Sequence, residues 1–206
     1  MKSKAKKIAL LLGATMAIGT SVLAATFSDL AGHWAYDNIM KLADTGVING
    51  YLDGTYRPEN TVTRGEFIKL VIQASLPEGV DIADAPSSLA HWSGKHLATA
   101  EIYRVVDSGS ITLENVDQPI TRREMALIIS KADVMLRFKT LNTDASITYN
   151  DYDLMNAEEI RWLTHAVSTG YITGYTDNTF KPDKNMTRAE AATIIARYTG
   201  MVGESK

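Results

Sequence analysis

Cysteine is absent from all 206 residues. With no disulfide available, stability must come from an apolar core, which a chain of this length with 45% hydrophobic residues can build. Histidine is scarce. The four, at positions 33, 91, 96 and 165, lack metal-ligand spacing, and His91 and His96 fall on different sides of a helix. Asp151-Tyr152-Asp153 begins like a calcium loop, but the required glycine is missing and the twelfth position is Trp162 instead of glutamate. No metal and no cofactor is expected. Gly-x-Ser-x-Gly and P-loop patterns are missing as well. The repeats described below absorb nearly every residue, so no room remains for a catalytic domain and the chain reads as non-enzymatic.

Long apolar runs are lacking after the first residues. Lys2, Lys4, Lys6 and Lys7 precede an apolar run from Ile8 to Ile18, and Val22-Leu23-Ala24 follows as an A-x-A-like cleavage site. The run is short for ~30 Å of hydrocarbon, so residues 1–24 are expected to be an export signal, with a secreted product that has no membrane span and no C-terminal anchor. Without them 17 basic side chains face 24 acidic ones, a net charge of −7. Such a chain should not coat nucleic acid or an anionic polymer by bulk attraction. An anionic partner has to be held by a local cluster of cations.

The chain does contain an internal repeat. Thr-Arg-x-Glu occurs at Thr63-Arg64-Gly65-Glu66, Thr121-Arg122-Arg123-Glu124 and Thr187-Arg188-Ala189-Glu190, each time after an apolar residue and before an apolar run. Upstream, Gly46-Val47-Ile48-Asn49-Gly50-Tyr51-Leu52-Asp53-Gly54-Thr55-Tyr56-Arg57-Pro58 returns as Gly170-Tyr171-Ile172-Thr173-Gly174-Tyr175-Thr176-Asp177-Asn178-Thr179-Phe180-Lys181-Pro182. In both copies 17 residues separate the first Gly from the Thr. In the middle copy Gly109-Ser110-Ile111 lies 12 before Thr121, a spacing that predicts loss of the Gly-Tyr-x-Asp turn. His33-Trp34 and His91-Trp92 open two copies. The third has Glu158-Glu159 at that distance, with Trp162 later.

Each repeat predicts a helix, with Ile39, Leu42 and Ala43 as its apolar stripe, ended by a left-handed glycine. A Gly/Asn/Asp-rich loop closed by proline follows. Thr-x-x-Glu then makes a capping box at the start of a second helix, which is apolar nearly all round and therefore buried. Two short helices cannot cover that surface alone, so three copies should pack about a shared axis. The repeats are expected at 27–75, 87–133 and 147–200. Loops join them, and Val134–Phe138 can extend the preceding helix.

These motifs, together with Phe27-Ser28-Asp29-Leu30 before His33-Trp34, resemble the S-layer homology domain, the wall-anchoring module of bacterial surface-layer proteins. The resemblance covers about Phe27 to Gly200. It implies a mainly α fold, three helix-loop-helix repeats in a pseudo-threefold helical spindle with grooves between neighbours. The ligand it implies is an anionic secondary cell-wall polysaccharide, often capped by a pyruvylated amino sugar. It also implies a cell-wall location, and motif arginines Arg64, Arg122 and Arg188 that contact the cap.

Physical chemistry accommodates that contact. The arginine is the first helical residue, where dipole and free amides favour an anion, and a guanidinium grips a carboxylate bidentately. The other reading makes it a solvated surface residue beside a helix cap. Trp34 and Trp92 either stack on a sugar face or pack between repeats. Tyr51 and Tyr175, on glycine-flanked loops, are expected to face a groove. Copy three lacks the opening tryptophan and copy two the loop tyrosine, so the grooves should be unequal. The competing function is a structural envelope component whose repeats bind peptidoglycan or other surface proteins.

Overall fold

The computed structural model describes residues 26–76, 82, 86–87, 89–144 and 146–202. The expected export signal lies outside them. Six α-helices form among these residues: α1 (Tyr36–Asp44), α2 (Arg64–Ser75), α3 (Gly94–Ile102), α4 (Arg122–Met135), α5 (Ala157–Ser168) and α6 (Arg188–Thr199). The chain is mainly α-helical, as the repeat pattern predicts. None of these helices is long and apolar enough to cross a membrane.

The start of each inner helix follows from its tetrapeptide. In α2 the Thr63 hydroxyl accepts from the Glu66 amide, and the Thr63 amide donates to Glu66 Oε2 at 2.8 Å. Thr121 with Glu124, and Thr187 with Glu190, form the same reciprocal pair. Each such cap stabilises its helix by about 1 kcal/mol. The helices behind them bury most of their circumference. Phe67, Ile68, Val71 and Ile72 of α2 are fully enclosed, as are Met125, Ala126 and Ile129 of α4 and Ala191, Ala192 and Ile195 of α6.

Cover comes from the next unit along the chain. Outer helix α3 packs on α2, α5 on α4, and α1 closes the circle on α6. The residues just before each cap tie the circle together. Val62 N donates to Met186 O, Met186 N to Ile120 O, and Ile120 N to Val62 O, all at 3.0–3.1 Å. Three isolated bridges flank this ring. The backbone therefore repeats with threefold character, as expected.

The middle unit departs from its expected reading. The turn made by Gly46 and Val47, whose amides bond Ala43 O and Leu42 O, is made there by Arg104 and Val105, not Gly109. Arg104 takes the left-handed φ of 57° that Gly46 takes at 73°. From Arg104 to Thr121 is again 17 residues, so nothing was shortened. The loop was rebuilt instead. Asn115 accepts from Thr112 N and donates to Ser110 O. In the outer units Asp29 accepts from the Tyr56 and Arg57 amides, and Asp151 from those of Phe180 and Lys181.

After Thr121 the chain leaves α4 at Met135, and Phe138, with φ 55°, sits in solvent. The helix thus extends only two residues into Val134–Phe138. The following connector is held by His165. Its Nδ1 accepts from Asn142 N, so Nε2–H donates to buried Asp133 at 3.0 Å.

Two outcomes test this packing. Gly50 has the Phe27 ring against it, and a Cβ there would overlap that ring and come within 2.6 Å of Thr55 O. Gly50→Ala should lower stability by about 1–3 kcal/mol, read from the urea midpoint. Burial also pushes the phenols of Tyr56 and Tyr198 up to about 12, against about 10 in an unfolded chain. Their contribution to stability is complete below pH 10 and disappears as pH rises through about 12. Near-ultraviolet absorbance should show these two ionising together with the loss of helical circular dichroism.

Candidate functional site: three inter-repeat grooves

Each motif arginine leaves the first turn of an inner helix and enters a groove built by the next unit. Arg188 reaches the first unit, Arg64 the second and Arg122 the third. Each guanidinium donates to a loop carbonyl there, of Asn49, Asn115 and Thr173 respectively. The opposite wall is the next unit's inner helix, and the unit beyond adds an indole in two of the three grooves.

The helix-terminal amides are not free, which corrects the expectation that they would hold an anion. Arg64 N donates to Gln118 O and Gly65 N to Val116 O. Arg122 N and Arg123 N take Lys184 O and Pro182 O, and Arg188 N and Ala189 N take Asn60 O and Pro58 O. The third amide goes to the capping threonine. Ring closure between units consumes these donors, so the side chains must supply whatever positive character a groove has.

The Arg188 groove encloses about 240 Å³ between Tyr51, Tyr56, Glu66, Lys69 and Trp92. Arg188 Nη1 lies 3.3 Å from Glu66 Oε1, Nε donates to Tyr56 O, and the guanidinium stacks 5.0 Å from the Tyr51 ring. Lys69 has no carboxylate partner among the described residues.

The Arg64 groove encloses about 250 Å³ between Asp107, Asn115, Glu124, Leu127 and Lys131. Arg64 Nε is 2.7 Å from Glu124 Oε1, and Lys131 Nζ is 3.5 Å from Asp107. Two cations meet two carboxylates. No indole lines it. Trp162, the third unit's tryptophan, lies on α5 with its ring 6.0 Å from Lys131 Nζ.

The Arg122 groove is smaller, about 120 Å³, between Trp34, Thr173, Glu190, Thr193 and Arg197. Arg122 is only 7% exposed, 4.8 Å from the centres of both the Tyr175 and Phe180 rings. Its Nε is buried without a hydrogen-bond partner. Desolvation lowers its pKa from the ordinary arginine value. Among the described residues it has no ion pair, and neither has Arg197.

The structure thus brings six of the seven expected site residues to groove walls: the three arginines, Trp34, Trp92 and Tyr51. Tyr175 instead forms a lid over Arg122, half-buried beneath Lys181 at 4.3 Å. Trp34 is 63% exposed and Trp92 55%. Sequence reasoning missed the second cations, Lys69, Lys131 and Arg197. Their signal was available as a polar stripe, because Lys69 lies three residues beyond Glu66, and Lys131 and Arg197 seven beyond Glu124 and Glu190.

Comparison with known proteins fits this geometry. The family model described as the S-layer homology domain matches residues 26–68 and 158–192. The S-layer protein EA1 of Bacillus anthracis is 33% identical over 180 residues, covering 83% of this chain and 20% of that protein. The cellulosome-anchoring protein of Acetivibrio thermocellus is 29% identical, covering 73% of this chain and 34% of its own. The amylopullulanase of Thermoanaerobacterium thermosulfurigenes is 30% identical, covering 82% and 9%. The chain therefore spans about a third or less of each of these relatives.

Indoles that serve as groove walls, and not as packing, should be cheap to remove. Trp34→Ala and Trp92→Ala should each cost about 1 kcal/mol or less in urea unfolding. A core tryptophan would cost about 3–5 kcal/mol, and a loss of that size would assign the indoles to packing.

Proposed function

This chain carries S-layer homology domains, and from that premise we propose that it anchors itself non-covalently to a bacterial cell wall. S-layer homology domains anchor proteins to the wall, which places the chain at the cell surface. Its ligand in this reading is an anionic secondary wall polysaccharide with a carboxylate-bearing, pyruvylated sugar. The three repeats, at 27–75, 87–133 and 147–200, hold it through Arg64, Arg122 and Arg188. One observation carries the reading: on a net-negative chain, each motif guanidinium stands in a groove beside a second cation, and in two grooves beside an exposed indole.

The chemistry is recognition without turnover. A guanidinium forks onto a carboxylate, and its planar donors fix the orientation of the sugar that bears it. The indole offers a flat apolar face to the ring carbons. Tyr51 narrows the Arg188 groove, and Tyr175 covers the Arg122 guanidinium. Cations confined to grooves discriminate against polyanions in general, because the surrounding surface repels them. The enzymes among the relatives match this chain over 9–18% of their own length, which supports a shared anchoring part and a non-enzymatic role here.

Purified protein should sediment with wall sacculi that carry the secondary polymer and stay in solution once the polymer is stripped. Replacing Arg64, Arg122 and Arg188 together by Ala should weaken sedimentation at least about tenfold, the equivalent of about 1.4 kcal/mol. Binding that survives stripping would favour a peptidoglycan or protein partner, and binding that survives the triple replacement would remove the arginines from the site.

A further inference from the structure

The three grooves differ in one respect that the repeat itself does not explain. Arg64 and Arg188 each face the capping glutamate of the next unit, at 2.7 and 3.3 Å. Arg122 should face Glu190 in the same way. Glu190 instead receives Lys184 Nζ at 2.5 Å. Position 184 is equivalent to 60 and 118, because the carbonyls of Asn60, Gln118 and Lys184 accept the first amides of α6, α2 and α4 in turn. The first two units have neutral amides there and the third has an ammonium.

We infer that Lys184 is a specificity-determining, positioning residue: by holding Glu190 it leaves Arg122 without an ion-pair partner and makes the Arg122 groove the principal anion site of the chain. The inference rests on the wall-glycan reading above and deepens it. Arg122 and Arg197 converge on this groove, and the nearby Glu190 is already committed. A carboxylate entering it supplies an ion-pair partner to a guanidinium with one buried unpartnered nitrogen. In the Arg64 groove the same carboxylate would have to displace Glu124 from an ion pair already formed. The Arg188 groove lies between, with Lys69 as its spare cation.

The test uses the full chain and, as probe, the methyl glycoside of a hexosamine bearing a pyruvic ketal, with the unketalised glycoside as its neutral control. Lys184→Gln restores the residue type of the second unit. It should free Glu190 to pair with Arg122 and weaken probe binding by about tenfold. Adding Glu190→Gln, which keeps the capping box, should return affinity to within about twofold of the parent. A double variant as weak as Lys184→Gln alone would show that the lysine touches the ligand itself, and would overturn the positioning role. Unchanged binding by Lys184→Gln, or a parent that fails to prefer the ketal over the neutral control, would overturn the site.

A probe-free arm separates this inference from the wall reading. A double-mutant cycle between Arg122→Gln and Glu190→Gln, followed by urea unfolding, should show weak coupling in the parent and a clearly larger favourable coupling once Lys184 is Gln. Equal coupling in both backgrounds sinks the inference even if the protein sediments with polymer-bearing sacculi. Failure to sediment would sink the wall reading instead.

Discussion

The closed ring of backbone hydrogen bonds among Val62, Ile120 and Met186 is the constraint on which everything else hangs. Each residue immediately precedes a capping threonine, so the ring fixes where all three inner helices begin and how they are rotated about the common axis. It also draws the next two amides of each helix onto carbonyls of a neighbouring unit. A helix start deep in a protein has four donors without intrahelical partners. Here two are met across the unit boundary and a third by the threonine, which lets apolar helices begin in the interior without stranded polar groups.

That solution sets the character of the grooves. With the amides consumed, the helix ends cannot recognise an anion through the backbone, and the first-turn arginines inherit the task. Each arginine points away from its own unit, because its own amide is held by the next unit's chain. Every groove is therefore composite, and an isolated repeat would contain none. The capping glutamate serves twice, closing its own helix and neutralising the neighbour's arginine. Whether a groove is electrically satisfied then depends on the residue three positions upstream of the cap. Lys184 illustrates how a single residue can shift the charge balance of a site that its own repeat builds together with the other two.

Much of the fold was legible in the chain. Thr-x-x-Glu followed by an apolar run is a local signal, and the box forms wherever it recurs. Gly46 and Gly170 mark left-handed turns because a side chain there costs conformational energy. The same logic misled the register of the middle unit. Gly109, also left-handed at φ 75°, makes a later turn in the loop, whereas Arg104 adopts the left-handed geometry without being glycine. Counting back 17 residues from the threonine would have found it. The loop-holding roles of Asp29 and Asp151 also escaped the sequence pattern, since their partners lie 27 to 30 residues ahead.

What the sequence by itself determined is the repeat, the capped inner helices and the identity of the residues that could hold an anion. These are local matters, decided by spacing and by the chemistry of neighbours a few positions away. Only the tertiary structure decided which unit each arginine serves, which carboxylate answers it, and that Arg122 alone among the three is left without an ion pair. Apart from the Lys184–Glu190 pair, six residues apart, those outcomes turn on groups 51 or more residues apart meeting across a threefold arrangement. Electrostatic pairing acts over ångströms in space, and no spacing along the chain encodes which of two cations reaches a shared carboxylate first.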